Sequence, residues 1–240
     1  MADFTNQIAV VTGASSGVGR AIALALAERG ATVCLVGRKL EALQSVSGSA
    51  GCSRFLTYQA DLTNDEEIHE LAARLQRDVG FIDLLVHSAG VIALGPIEEA
   101  PVEDFDRQYR TNVRGPYVLT QALLPMFRGS RGEVVFVNSS IGLSARAGTG
   151  QYAATKLALK AIADSLRAEV NAGGRRVLSV FLGRTATPMQ QTIHDREGRE
   201  YHPELLLQPE DVAAVVLNAV SMPRTAEVTD INIRPMIKTA

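Results

Sequence analysis

Ile8-Ala9-Val10-Val11-Thr12-Gly13-Ala14-Ser15-Ser16-Gly17-Val18-Gly19 is the stretch that decides the fold. Its first four residues form an unbroken apolar run, the composition of a short strand covered on both faces. Glycines at 13, 17 and 19 follow, and from Val18 onward Ile22, Ala25 and Leu26 recur at the i, i+4, i+7 and i+8 spacing of a helix packed on a sheet. A strand that passes through glycines directly into a helix opens a βα unit. Glycine lets the backbone approach a ligand closely, and the unpaired N–H groups at the positive end of a helix favour an anion such as a pyrophosphate. The spacing is G-x-x-x-G-x-G, a variant of the G-x-G-x-x-G fingerprint, so it needs support from elsewhere in the chain.

Outward from this unit the pattern repeats. Further strands are predicted at Thr32–Val36, Arg54–Gln59, Ile82–His87, Val134–Asn138, Val177–Leu182 and Val228–Ile233. Ile68, Leu71, Ala72, Leu75 and Val79 mark a helix with Asp65, Glu66 and Glu67 in its first turn, where negative charge suits the dipole. A long helical region is predicted up to about Phe127, another helix from Tyr152 to about Asn171, and a late one carrying Val212, Val215, Val216 and Ala219, with Pro209 near its start. Alternating strands and helices predict an α/β fold: a Rossmann-type doubly wound parallel sheet of about seven strands, covered on both faces. No linker or repeat divides residues 1–240, so one dinucleotide-binding domain is expected.

Bulk properties narrow the function. The chain has 240 residues, 46% of them hydrophobic, enough for a buried core. A net charge of −2, without a long run of either sign, argues against a nucleic-acid binder. Apolar stretches are interrupted before membrane-spanning length, and Met1–Asn6 does not read as a signal peptide. Cys34 and Cys52 are the only cysteines and do not suggest a disulfide framework, so a reducing, cytoplasmic location is expected. His194 and His202 read as loop histidines without a third ligand, and no metal site is expected.

Two features carry chemistry. At the end of the second strand the chain reads Val36-Gly37-Arg38-Lys39, where the general fingerprint has an acidic residue for a ribose hydroxyl. A carboxylate there would repel a 2′-phosphate, whereas Arg38 can hold one with forked, charge-assisted hydrogen bonds, so NADP(H) is expected over NAD(H). Tyr152 and Lys156 stand at i and i+4, on one face if the segment is helical. A lysine charge at about 4 Å is worth about 4 kcal/mol at an effective dielectric near 20, enough to lower a phenol pKa by about three. That pair can make a proton donor.

Thr12 to Gly19, Asp61-Leu62, Ser88-Ala89-Gly90, Asn112, Ser139 and Tyr152 to Lys156, in this order, make the chain similar to the compact, single-domain branch of the short-chain dehydrogenase/reductase family. The resemblance implies Tyr152 as general acid-base, Lys156 as the group that lowers its pKa and binds the nicotinamide ribose, Ser139 as polariser of the substrate oxygen, and Asn112 as holder of a proton-relay water. Ser139 stands 13 positions before Tyr152, the usual separation in the family, while alignment on the double serine would choose Ser140. Gly13, Ser15, Ser16, Gly17, Val18, Gly19, Arg38, Asp61, Leu62, Ser88, Ala89, Gly90, Tyr152, Lys156, Gly183, Thr185 and Thr187 are the implied cofactor contacts. Ser88 replaces an asparagine usual in the family. Leu182 replaces the proline of its P-G-x-x-x-T element, which leaves a less rigid turn.

The implied activity is interconversion of a carbonyl and a secondary alcohol, with a small-molecule substrate and a homodimer or homotetramer as the assembly. Residues 188–208 are the expected substrate lid, with Met189, Ile193, Tyr201 and Leu205–Leu207 as its apolar contacts. The alternatives are a catalytically silent dinucleotide sensor, which has no need of Tyr152 and Lys156, an NAD-dependent alcohol dehydrogenase, and a methyltransferase with a similar glycine loop.

Overall fold

The computed structural model describes residues 3–49 and 54–237. Seven strands lie in one parallel sheet: β1 (Ile8–Thr12), β2 (Thr32–Gly37), β3 (Phe55–Gln59), β4 (Leu84–His87), β5 (Glu133–Ser139), β6 (Arg176–Leu182) and β7 (Asp230–Ile233). Their spatial order is β3-β2-β1-β4-β5-β6-β7. The order reverses direction between β1 and β4, and a crevice opens there beyond the carboxyl ends of the strands, which is where a doubly wound sheet binds its ligand.

Alternation along the strands sorts the core into two layers. Ala9, Val11, Val33, Leu35, Leu84, Val86, Val135, Leu178 and Val180 face one side, under α1 (Gly17–Glu28), α2 (Leu40–Ser49) and α8 (Pro209–Val220). Val10, Cys34, Val36, Leu85, Val134, Phe136 and Val177 face the other, under α3 (Asp65–Asp78), α5 (Gly115–Leu123) and α6 (Gly150–Val170). Both faces are apolar because both are covered, so these strands read as continuous runs.

The structure adjusts several expected boundaries. The expected helix ending near Phe127 is instead a loop, then α4 (Val102–Tyr109), a π-helical turn at Arg110–Arg114, α5 and a 3₁₀ turn at Leu124–Met126. β4 starts at Leu84, and Ile82 makes an isolated bridge with Phe127. α2 had no counterpart in the periodicity. The 188–208 segment contains α7 (Pro188–Glu197) and a 3₁₀ turn at Pro203–Leu205. Its Leu206 and Leu207 are buried, and Leu207 exchanges backbone hydrogen bonds with Arg184 and Ala186 at 3.1 and 2.8 Å, so this end of the segment is anchored structure.

Cys34 is buried in β2, and burial pushes its thiol up to about 12, which leaves it protonated and unreactive. Cys52 lies outside the described residues. Among the described residues, no helix is long and apolar enough to cross a membrane.

Candidate active site

The carboxyl ends of β1, β2, β4, β5 and β6 surround a cleft of ≈ 990 Å³. Its floor at β1 is shaped by glycine. Gly13 has φ +65°, and a side chain there would meet the Ala89 backbone at 2.8 Å; Gly17 has φ +53° and faces Thr187. Gly19 does not line the cleft: a Cβ on it would lie 2.5 Å from the Gly13 carbonyl oxygen, so its absence of a side chain lets α1 pack onto the loop. The buried Thr12 hydroxyl accepts from the Ser88 and Ala89 N–H groups at 3.0 and 3.1 Å, joining the β1 and β4 loops.

The two nearby helix starts differ in a telling way. At α3, Asn64 accepts from the Glu66 N–H and three carboxylates occupy the first turn. At α1, Ser16 makes no side-chain cap and the first turn has no acidic residue. The α1 end therefore keeps its positive dipole uncompensated beside Gly13, Ser15, Ser16, Gly17 and Val18, all of which line the cleft. These residues fit a dinucleotide pyrophosphate. Arg38 lines the same cleft at the end of β2, exposed and with no protein partner for its guanidinium among the described residues; its carbonyl accepts from Gln59 Nε2 at 3.0 Å. Asp61 and Leu62 follow on the rim, with the Asp61 carboxylate accepting from the Thr63 N–H and hydroxyl, both at 2.9 Å.

Tyr152 and Lys156 sit in the first turns of α6 and both line the cleft, as do Ser139 and Ser140. The two serines divide as neighbours in an extended segment do. Ser139 lies close enough to the Tyr152 phenol to lower its pKa, and its Oγ accepts from the Ile141 N–H at 3.3 Å; Ser140 is exposed and starts a 3₁₀ turn. Lys156 is buried, donates to the Val137 carbonyl at 3.3 Å, and has its Nζ 5.8 Å from the Tyr152 ring centroid.

The electrostatics correct the expectation for this pair. Burial pushes Tyr152 up to about 12, against the opposing effect of nearby Ser139, and pushes Lys156 down to about 8. At this separation the ammonium does not offset desolvation of the phenolate. Tyr152 is a protonated donor at neutral pH, and Lys156 is still largely charged.

Asn112 lies in the π-helical turn and is buried, away from the cleft lining. Its Oδ1 accepts from the Val91 N–H at 2.8 Å, and its Nδ2 donates to the Val91 carbonyl at 2.9 Å and to Thr155 Oγ1 at 3.1 Å. The amide thus pins the loop after β4 to α6. Sequence reasoning missed two companions. Asn138 accepts from the Ser139 N–H at 2.7 Å and donates to the Lys156 carbonyl at 3.0 Å, holding the serine strand against the lysine turn. The fully buried Gln108 accepts from the Ala93 N–H at 2.9 Å and donates to Gln151 at 3.3 Å. A polar residue ending the apolar run of β5 was the available signal for Asn138; Gln108 offered none.

Ser88, Ala89 and Gly90 line the cleft after β4, and Gly183, Thr185 and Thr187 after β6. The Gly183 N–H donates to Ile233 at 2.8 Å, so the turn that lacks the family's proline is held by β7 instead. Thr187 caps α7, its Oγ1 accepting from the Gln190 N–H at 3.2 Å. Met189 and Ile193 line the cleft, whereas Tyr201 and Leu205–Leu207 do not. His194 is buried between Gln190 and Arg184, and His202 lies apart beside Glu200 and Glu204.

Comparison with known proteins gives the family. Residues 7–198 match the family model for short chain dehydrogenases. An uncharacterized oxidoreductase of Staphylococcus aureus is 33% identical over 237 residues, covering 98% of this chain and 100% of that protein. Among solved structures, the closed form of a serine dehydrogenase complexed with NADP+ superposes with a TM-score of 0.90 at 28% identity, covering 98% of this chain and 97% of that one. A short chain dehydrogenase from Shigella flexneri complexed with NADP gives 0.86 at 29% identity, covering 95% and 97%.

Proposed function

The chain belongs to the short-chain dehydrogenase family, and from that premise we propose that it is an NADP(H)-dependent oxidoreductase that interconverts a carbonyl and a secondary alcohol. The observation that carries this is the convergence of Ser139, Tyr152 and Lys156 on the same cleft, with Ser139 close enough to the phenol to lower its pKa. When bound, the nicotinamide supplies the hydride; the protein orients the carbonyl and manages the proton.

Ser139 and Tyr152 hold the carbonyl oxygen. As negative charge develops on that oxygen, the Tyr152 phenol gives up its proton, and the Lys156 ammonium stabilises the resulting tyrosinate. Asn112 and Asn138 act as positioning residues, since each ties a cleft loop to the turn of α6 that bears the pair. The exposed, unpaired Arg38 supports NADP(H) over NAD(H), and the NADP-bound relatives are consistent with that choice. A second copy of this chain is the proposed partner. Tyr109 on α4 and Tyr117 on α5 are 48% and 52% exposed, with Leu157 of α6 at 46%, which is apolar surface that a homodimer or homotetramer would cover.

The test is Tyr152→Phe. The variant is expected to bind NADPH, read by fluorescence, and to lose carbonyl reduction by about 10²-fold or more. Undiminished turnover would falsify the assignment, and turnover confined to NADH would overturn the role of Arg38.

A further inference from the structure

The cleft holds more positive charge than a dinucleotide requires. Arg38 and the start of α1 suffice for the phosphates, yet Arg107, Arg146, Arg184 and Arg196 also line the cleft, against the carboxylates of Asp61 and Glu197. Two of these arginines have partners. Arg107 donates to Asp104 at 2.6 Å, and Arg184 is held by Glu197 at 3.3 and 3.4 Å and by His194 at 3.4 Å. The guanidinium groups of Arg146 and Arg196 have no protein partner among the described residues.

Neither arginine rides on loose backbone. The Arg146 N–H donates to Thr149 Oγ1 at 3.0 Å, that hydroxyl donates back to the Arg146 carbonyl at 2.7 Å, and Gly95 bonds the adjoining Gly148 at 2.8 Å. Arg196 lies on α7, where Met189, Ile193 and Arg196 stand at i, i+4 and i+7 and all line the cleft. They form one face of the helix, apolar first and cationic last, and about 10 Å long at 1.5 Å per residue. The apolar end lies nearest Thr187, which faces Gly17.

We propose that the substrate is an oxo acid with an apolar chain between its two polar ends: the carbonyl at Tyr152, the chain along Met189 and Ile193, and the carboxylate held by Arg196, with the unpaired Arg146 of the same cleft adding positive charge. A guanidinium fork matches a carboxylate in two parallel hydrogen bonds, and a cleft lined with an excess of one sign of charge concentrates the opposite sign. The carbonyl carbon takes the hydride of NADPH and its oxygen takes the Tyr152 proton, giving the hydroxy acid and NADP+. This rests on the oxidoreductase function proposed above.

The experiment uses methyl-ketone acids of increasing chain length beside their methyl esters, with NADPH. Acids are expected to exceed esters in kcat/KM by about tenfold or more once the chain spans the apolar face, with the preference weakening in salt. Arg146→Gln combined with Arg196→Gln should bring the acid-to-ester ratio towards one. In parallel, calorimetry follows binding of a saturated fatty acid, which has no ketone to reduce, to the NADP-loaded protein. Tyr152→Phe should retain that binding, and the double arginine variant should lose it. Equal turnover of acids and esters, a preference that survives in the double variant, or reduction of neutral carbonyls alone overturns the oxo-acid assignment and leaves the function of Tyr152 standing. If Tyr152→Phe reduces carbonyls normally, the proposed function fails instead, and fatty-acid binding by itself decides whether the arginines take a carboxylate.

Discussion

Asn112 Nδ2 donates to Thr155 Oγ1 at 3.1 Å, and the Thr155 hydroxyl donates to the Tyr152 carbonyl at 2.8 Å. A buried amide in a π-helical turn is thereby linked through one hydroxyl to the residue that bears the proposed acid. Asn112→Ala would leave both Val91 backbone groups and Thr155 without their partner, at a cost of about 2 kcal/mol or more. Chemical denaturation should show a lower midpoint, and kcat should fall more than NADPH affinity.

The shifted pair sets a pH dependence. Lys156 is an ammonium below about 8 and neutral above it, whereas Tyr152 stays protonated to about 12. Carbonyl reduction, which uses the phenol proton and the lysine charge, should be level below pH 8 and decline above it. Alcohol oxidation needs the phenolate as base and should climb as pH rises. Lys156→Met should abolish the decline near pH 8 in the reductive profile; a profile identical to wild type would remove the lysine from the mechanism.

Cofactor choice should turn on Arg38. Replacing a charge-assisted fork by a carboxylate, as in Arg38→Asp, is expected to raise KM for NADPH by about tenfold or more while favouring NADH. Steady-state kinetics with both nucleotides gives the ratio directly, and an unchanged ratio would place 2′-phosphate recognition elsewhere.

His87 is expected to make the fold acid-sensitive. It is 2% exposed at the end of β4, stacked on Phe136 and bonded to Thr120 Oγ1 at 2.8 Å, and burial pushes it down from 6.5 to about 3. Between those values the unfolded chain binds a proton that the folded chain does not, so stability falls as pH drops from 6.5 towards 3. The full effect is on the order of 5 kcal/mol. Denaturation midpoints across that window should fall less steeply for His87→Asn than for the wild type.

Much of the cleft was legible from residue type because backbone geometry maps spacing onto position. Glycine at 13 and 17 announced positive φ, and a four-residue separation put Tyr152 and Lys156 on one helix face. What escaped depended on packing. Leu206 and Leu207 read as lid contacts but belong to buried structure. Gln108 falls in the long helical region predicted up to Phe127, and its burial against Ala93 depends on a loop that periodicity does not describe.

By itself, the sequence determined the alternation of strands and helices, the glycine loop after β1 and the pairing of Tyr152 with Lys156 on one helix face, since these follow from local periodicity and steric rules. Only the tertiary structure set Ser139 apart from Ser140 as the serine that acts on the phenol's pKa, because that depends on the direction in which the last residues of β5 face α6. It also reversed the expected electrostatics of the pair. Coulomb attraction can be guessed from spacing, but the desolvation that outweighs it depends on everything packed around the two side chains.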